Sequence, residues 1–331
     1  MTNRHFTFIV ALCAAFSLAS FAQTIPSGGT AGKTPKTTTP HSSTNMSNLV
    51  VVIPLNGVVG PTLDDDQWFS AADFKKALEK AEKLDPAAVI LEIKSPGGLV
   101  STEELIIQTI LDSEARGTRI VAWVTDAGSA AALITLACKE IFIKPSARVG
   151  AAVTIVSGST GTSSLKSLTK DDPELAAKYE SFHSAIHKAA AEATGRSPAI
   201  AAAMCDMSKE LWWSKDGGFS DQQRTPTDER IDGPKEVLTL TAGTMEKTGI
   251  AKQENSLDDM IKSLALRRTA EIKRLDSEMT SNPKKLVRLR AKADEYRHQA
   301  RDSKPDSDNQ KHVEAELAKI ILQANKLLEE R

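Results

Sequence analysis

Cysteine is scarce in this chain: Cys13, Cys138 and Cys205 are the only three in 331 residues. Cys13 lies in a leader, so at most one disulfide is left. Cys138 and Cys205 sit in apolar helical contexts, which makes buried free thiols the expectation and excludes a disulfide framework. Net charge is also lacking. Forty-two Lys and Arg against 43 Asp and Glu give a formal charge of −1, which argues against a polyanion-binding surface over the whole molecule, so nucleic acid is not an expected partner. No histidine stands between His41 and His183, which removes a neighbouring imidazole from any nucleophile in that interval. Beyond the N-terminal stretch no apolar run approaches the roughly 20 residues of a bilayer span.

What is present begins with a targeting signal. Arg4 and His5 precede the apolar run Phe6 to Phe21, and Ser20-Phe21-Ala22 forms a small-x-small cleavage site before Gln23. Leu12 is too large for lipoprotein processing at Cys13. Residues 1–22 therefore read as a signal peptide, and the mature protein as exported, periplasmic or secreted; retention at the membrane by an uncleaved N-terminal segment is the alternative. Residues 23–47 are a Pro-, Gly-, Ser- and Thr-rich leader that cannot bury enough surface to order itself. Hydrophobic content of 40% and charged content of 26% fit a soluble globular remainder.

The pattern changes at Asn48. Leu49-Val50-Val51-Val52-Ile53-Pro54-Leu55 is a strand covered on both faces. A helix follows over Ala71 to Leu84, then a buried strand over Ala87 to Ile93 that ends in Ser95-Pro96-Gly97-Gly98. Ser101 and Glu104 read as a capping box for the next helix, with Leu105, Ile106, Ile110 and Leu111 toward the core. Arg119 to Thr125 is the third strand, and an abrupt turn at Ser129 leads into another helix. This rhythm predicts an α/β fold with a mostly parallel sheet and right-handed crossovers. Short strands are expected at Ile141 to Ile143 and Val149 to Ile155, and a mobile low-complexity stretch at Ser157 to Ser164. A long helix should run from an Asp172 cap to Thr194, with Gly195 ending it. Leu211 to Gly218 suggests a hairpin, and Glu236 to Ala251 a strand, a Thr cap and a helix stopped by Gly249. The domain so defined spans 48–255. Residues 256–331 form a charged helical tail, where Val313, Leu317, Ile320, Ala324 and Leu327 follow a heptad seam. Association through that seam with a helical partner competes with packing back on its own domain.

Three features bear chemistry. Gly97 and Gly98 let bare backbone amides approach a ligand oxygen, as an oxyanion hole requires; a plain strand-to-helix turn is the simpler alternative. Ser129 lies in Asp126-Ala127-Gly128-Ser129-Ala130-Ala131-Ala132, one hydroxyl among residues with little side chain. Its simpler alternative is a helix N-cap, and the turn is not the G-x-S-x-G elbow. A serine nucleophile needs a base. Lys178 sits on the stripe Leu175, Tyr179, Phe182, Ile186 and Ala189, where partial desolvation lowers a lysine toward the range of a general base; an edge lysine with its ammonium in water is the alternative. His183 and His187 are an i, i+4 pair, but no acidic or cysteine partner is evident in sequence, so no metal is expected.

The stretches VVVIPLNGVVGP, AAVILEIKSPGGLV and VAWVTDAGSAAALITLACKEIFIKPSARVGAA together resemble the Clp protease and crotonase superfold. Within it they are most similar to the serine protease domain of NfeD proteins, relatives of signal peptide peptidase A. Thr194-Gly195-Arg196 and VLTLTAGTMEKTGIA extend the similarity, which covers about residues 48–255. The resemblance implies a Ser–Lys dyad of Ser129 and Lys178, an oxyanion hole from Gly97, Gly98 and the Ala130 amide, extended apolar peptide or protein substrates, homo-oligomers, and neither metal nor cofactor. The chain departs from the family pattern at Lys94 and Ser95, where an acidic residue and a threonine are usual, and at Ala131 in place of glycine. It also lacks the membrane spans and small β-barrel that often follow. An exported serine endopeptidase is the leading expectation. A non-catalytic binding module on the same scaffold is the second, and crotonase-like acyl-CoA chemistry a weaker third.

Overall fold

The computed structural model describes residues 47–60, 67–158, 161–164, 173–266, 268–279, 284–302 and 308–329. The expected signal peptide, nearly all of the leader and the Asp172 cap lie outside them. The β-branched run forms β1 (Leu49–Asn56), buried from Val50 to Leu55. Gly57, at φ 90°, turns the chain into β2 (Val58–Val59), which pairs in parallel with β3 (Trp68–Phe69). Helix α1 (Ala71–Glu82) starts at Ser70, whose hydroxyl accepts from the Asp73 N–H, and buries Phe74, Ala77, Leu78 and Ala81.

The parallel rhythm follows: β4 (Ala88–Ser95), α2 (Val100–Ala115), β5 (Ile120–Gly128), α3 (Ala130–Leu136), β6 (Glu140–Ile143) and β7 (Arg148–Gly150). Then come the hairpin strands β8 (Ile155–Gly158) and β9 (Gly161–Ser164), the long helix α4 (Pro173–Thr194) and α5 (Pro198–Cys205). Strands β10 (Leu211–Ser214), β11 (Gly218–Ser220) and β12 (Glu229–Asp232) make a small antiparallel sheet. The chain continues through β13 (Thr239–Thr241), α6 (Ala242–Lys247), β14 (Lys252–Gln253), α7 (Leu257–Ser263), β15 (Glu271–Arg274) and α8 (Asp276–Met279). Helices α9 (Lys284–Asp302) and α10 (Asp308–Glu329) end it.

The central sheet runs β13-β7-β5-β4-β1-β15, with β6 also on β5 and β14 on β6. Every pairing in it is parallel except β13 with β7. Strand alternation sends Val51, Ile53, Val89, Leu91 and Val124 to one face, beneath α1, α2 and α3. Val50, Val52, Ile90, Val121, Trp123 and Phe142 point the other way, where Met260, Ile261 and Leu264 cover them.

Several expectations change. The stretch 256–279, read from its charge as the start of a tail, completes the sheet: α7 covers one face and β15 pairs with β1. The Ser101 capping box does not form, because α2 begins at Val100 after an extended Leu99 that makes no side-chain cap. Within α2 the buried apolar residues are Ile106, Ile107 and Ile110, while Leu105 is 61% exposed. Ala151, at φ 56°, breaks the expected strand Val149 to Ile155 in two, and its N–H donates to Leu238 O. The Ser157 to Ser164 stretch is the β8–β9 hairpin, with residues 159 and 160 outside the description. Among the described residues the heptad seam of α10 packs within the chain, and the Leu327 side chain lies outside the description. Val313, Ile320 and Ala324 are buried, α10 packs on α9, and Ala324 joins Trp68, Val58 and Leu289 in a separate apolar cluster.

Candidate active site

Strand β5 is buried between β4 and β7, and its last residues pair with both: Ala127 with Ser95 and Val149, Gly128 with Gly150. Ser129 follows at φ 50°, ψ −127°, a conformation that a side-chain-bearing residue holds only when its surroundings force it. Two backbone hydrogen bonds do so: Ser129 N–H donates to Gly150 O at 2.8 Å, and Ser129 O accepts from Ala132 N–H at 2.9 Å. The hydroxyl does not cap α3. The simpler reading of Ser129 as an N-cap therefore fails, and its side chain is only partly buried.

Gly97 stands directly against it. A methyl group on Gly97 would lie 2.4 Å from Ser129 Cβ and 2.7 Å from Gly128 O, and the residue sits at φ 101°. Only glycine lets this turn approach so closely. The Gly97 N–H is already engaged, donating to the buried Ser95 hydroxyl at 3.1 Å. Serine in place of threonine at position 95 thus keeps a hydroxyl that holds the turn. Val59 donates to Gly97 O (2.8 Å) and accepts from Leu99 N–H (2.7 Å). This parallel bridge turns the N–H of Gly98 away from β2, toward the side on which β5 lies. Ala130 is the first residue of α3, so its N–H has no acceptor within the helix. Gly97, Gly98, Ser129 and Ala130 thus converge, and the two unclaimed amides belong to Gly98 and Ala130.

Gly97→Ala should consequently do more than strain one turn. The clash and the left-handed φ together should cost on the order of 3 kcal/mol, and displacing Ser129 by about 1 Å should cost about 10²-fold in any reaction it performs. Thermal unfolding and rate measurements on the same preparation would show both losses; a fully stable, fully active variant would refute this packing.

Lys178 lies near the start of α4 and is exposed in the single chain, as is Phe182 at 72%. The expected apolar stripe is therefore rotated. The side of α4 that packs holds Tyr179, His183, Ile186 and His187 half-buried, with Ala190 and Ala191 buried. Histidines take the inner positions because α2 offers them carboxylates: His183 Nδ1 is 2.5 Å from Glu104 Oε1, and His187 Nε2 is 2.7 Å from Glu103 Oε1. The acidic partners that the sequence did not reveal are thus on another helix. Even so, no group of three or more His, Cys, Asp or Glu among the described residues is arranged to hold a metal ion.

Arg196 is a further contributor. Its guanidinium donates to Leu136 O, Cys138 O and Lys139 O at 3.0, 2.7 and 2.9 Å, closing the C-terminus of α3. The helix that begins at Ser129 is thereby held at its far end by the segment after α4. Cys138 and Cys205 are free thiols, and burial pushes the Cys205 thiol up to about 12 and Cys138 upward as well. Neither is a second nucleophile.

A mainly parallel sheet covered by helices on both faces, with a strained serine at a strand-to-helix turn faced by a glycine turn, defines a mixed α/β protein. The chain belongs to the NfeD1b N-terminal domain family, whose model matches residues 49–218, just over half of its length. Two solved structures of the 1510-N membrane-bound stomatin-specific protease are similar in fold. A serine-to-alanine variant has 19% identity, 69% of this chain and 98% of the other covered, and a TM-score of 0.47. A lysine-to-alanine variant in complex with a substrate peptide has 19% identity, 74% and 99% covered, and a TM-score of 0.48. No curated protein matches the sequence. The family match stops at residue 218, whereas the sheet and its cover continue to residue 279.

Proposed function

We propose that the protein is a serine endopeptidase. Ser129 Oγ attacks the scissile carbonyl, Lys178 takes the hydroxyl proton and returns it to the leaving amine, and the amides of Gly98 and Ala130 hold the oxyanion. Water then cleaves the acyl-enzyme with the lysine again as base. The observation that carries this reading is the backbone of Ser129, strained, pinned by two hydrogen bonds and pressed against Gly97, with a hydroxyl that caps nothing. Extended apolar segments, including those of membrane-associated proteins, suit a site reached by strand-like backbone at β2 and Gly98. Lys178 must shed its proton to act, and a bound peptide or a second copy of the chain covering α4 would supply the desolvation. Export by cleavage after Ala22 belongs to the same reading; among the described residues no helix is long and apolar enough to cross a membrane.

The exposure of Lys178 favours a second reading, a non-catalytic peptide-binding module. A fluorophosphonate probe separates them. The native chain should be labelled at Ser129, located by mass spectrometry of the peptides, and Lys178→Ala should slow labelling by about 10²-fold or more. Absence of labelling at Ser129 would leave the binding module.

A further inference from the structure

We propose that Glu103, Glu104, His183 and His187 form a two-point clasp that positions α4, and with it Lys178, relative to the Gly97–Gly98 turn. The proposal rests on the dyad reading for its consequence, and on the packing of α2 against α4 for its substance.

Glu103 and Glu104 are consecutive residues in the opening turns of α2. That helix leaves the glycine turn at Leu99, whose carbonyl accepts the Glu103 N–H at 3.0 Å. His183 and His187 lie one turn apart on one side of α4, and each meets a different one of the two carboxylates, at 2.5 and 2.7 Å. One such link would fix a distance and leave the helix free to rotate about it. Two links spaced by about 6 Å along the axis fix both its rotation and its slide. Lys178 lies five residues before His183, roughly 7.5 Å along the same axis, so any slip at the clasp moves the lysine.

The inner pair is deep. The side chains of Glu103 and His187 are only 3% and 12% exposed, and burial pushes the Glu103 carboxyl above the usual carboxylate range while the His187 hydrogen bond opposes that shift. A buried ion pair or polar pair is seldom the most stable filling for such a space, since apolar side chains of similar volume often serve better. What directional partners add is a unique register. Meanwhile Phe182, which could have packed inward, faces solvent. The outer pair is braced from its own helix: the Tyr179 ring stacks on His183 with centroids 6.2 Å apart, and Phe182 meets it edge-on at 6.4 Å. Cys205 of α5 also feels the Glu103 charge.

Because carboxylates only accept, the donating atoms are Nδ1 of His183 and Nε2 of His187. Asparagine places an N–H near the first of these and glutamine near the second, which separates donation from mere filling. In the full chain, His183→Asn with His187→Gln should keep Ser129 labelling within about threefold of native. His183→Leu with His187→Leu should slow labelling by about tenfold or more, and hydrogen exchange of amides 178–188 should quicken by at least as much while α3 stays protected. The proposal is overturned if the leucine pair leaves labelling and exchange unchanged, or if the Asn/Gln pair behaves like the leucine pair. If the native chain is not labelled at all, the serine reading fails, and the exchange comparison alone decides the clasp.

Discussion

Ser129→Ala is expected to lower peptide cleavage by at least about 10³-fold, since removal of a serine nucleophile leaves only the contribution of binding and oxyanion donors. The same variant should unfold within about 0.5 kcal/mol of native. The two measurements together separate a nucleophile from a cap: loss of a capping hydroxyl costs about 1 kcal/mol of stability, and Ser129 makes no such cap. Ser129→Gly should go further and raise the unfolding temperature, because glycine adopts φ 50° without the steric cost. A protein made more stable by losing this side chain would show strain held at the site for function. If Ser129→Ala cleaves peptides as fast as native, the nucleophile is elsewhere.

The second large effect is expected from shortening the chain. A stop after residue 255, the limit of the family resemblance read from the sequence, removes α7 and β15. Val50, Val52, Ile90, Val121, Trp123 and Phe142 would then lose the cover of Met260, Ile261 and Leu264. At about 1.5–3 kcal/mol for each large side chain returned to water, the loss is on the order of 10 kcal/mol, as large as the stability of a typical domain. The shortened chain should be insoluble or unfolded by circular dichroism. A stop after residue 283 keeps that face covered and gives up only the α9–α10 hairpin over Trp68, so it should fold with a more exposed tryptophan. A folded, monodisperse 1–255 chain would mean that α7 is dispensable.

The sequence was most readable where burial dictated side-chain type. The β-branched run of β1, the helix through Phe74, Leu78 and Ala81, the Trp212 hairpin and the Thr241 cap with Gly249 as stop all lie where the pattern put them. The convergence of Gly97 with Ser129 was readable only through the family resemblance, since each turn taken alone reads as an ordinary strand-to-helix turn or helix cap. Three features were not. Strand β15 is Glu-Ile-Lys-Arg, exposed at every position and at the sheet edge, so it carries no buried alternation to detect. The Ser101 to Glu104 pattern matched a capping box, but the glycine turn brings the chain into helix sooner, which frees Glu104 for His183. The packing side of α4 was misjudged because histidine counts as polar by composition, while its interior partners come from a helix some eighty residues away, at separations of 79 and 84.

The pairing of β1 with β15 sets an order on synthesis. Asn48 reaches Thr269 across 221 residues, and the backbone bonds from Glu271 to Asn48 and from Leu275 to Val52 close the same ladder. Strand β1, the first made of the described strands, is therefore the last of the central sheet's inner strands to gain its second neighbour. Until residue 274 has been made, β1 presents a bare, apolar edge of the kind that recruits other chains. Contacts of such long sequence separation are slow to form. The nascent protein must thus keep β1 occupied or guarded while the 218 residues from the end of β1 to the end of β15 are being added.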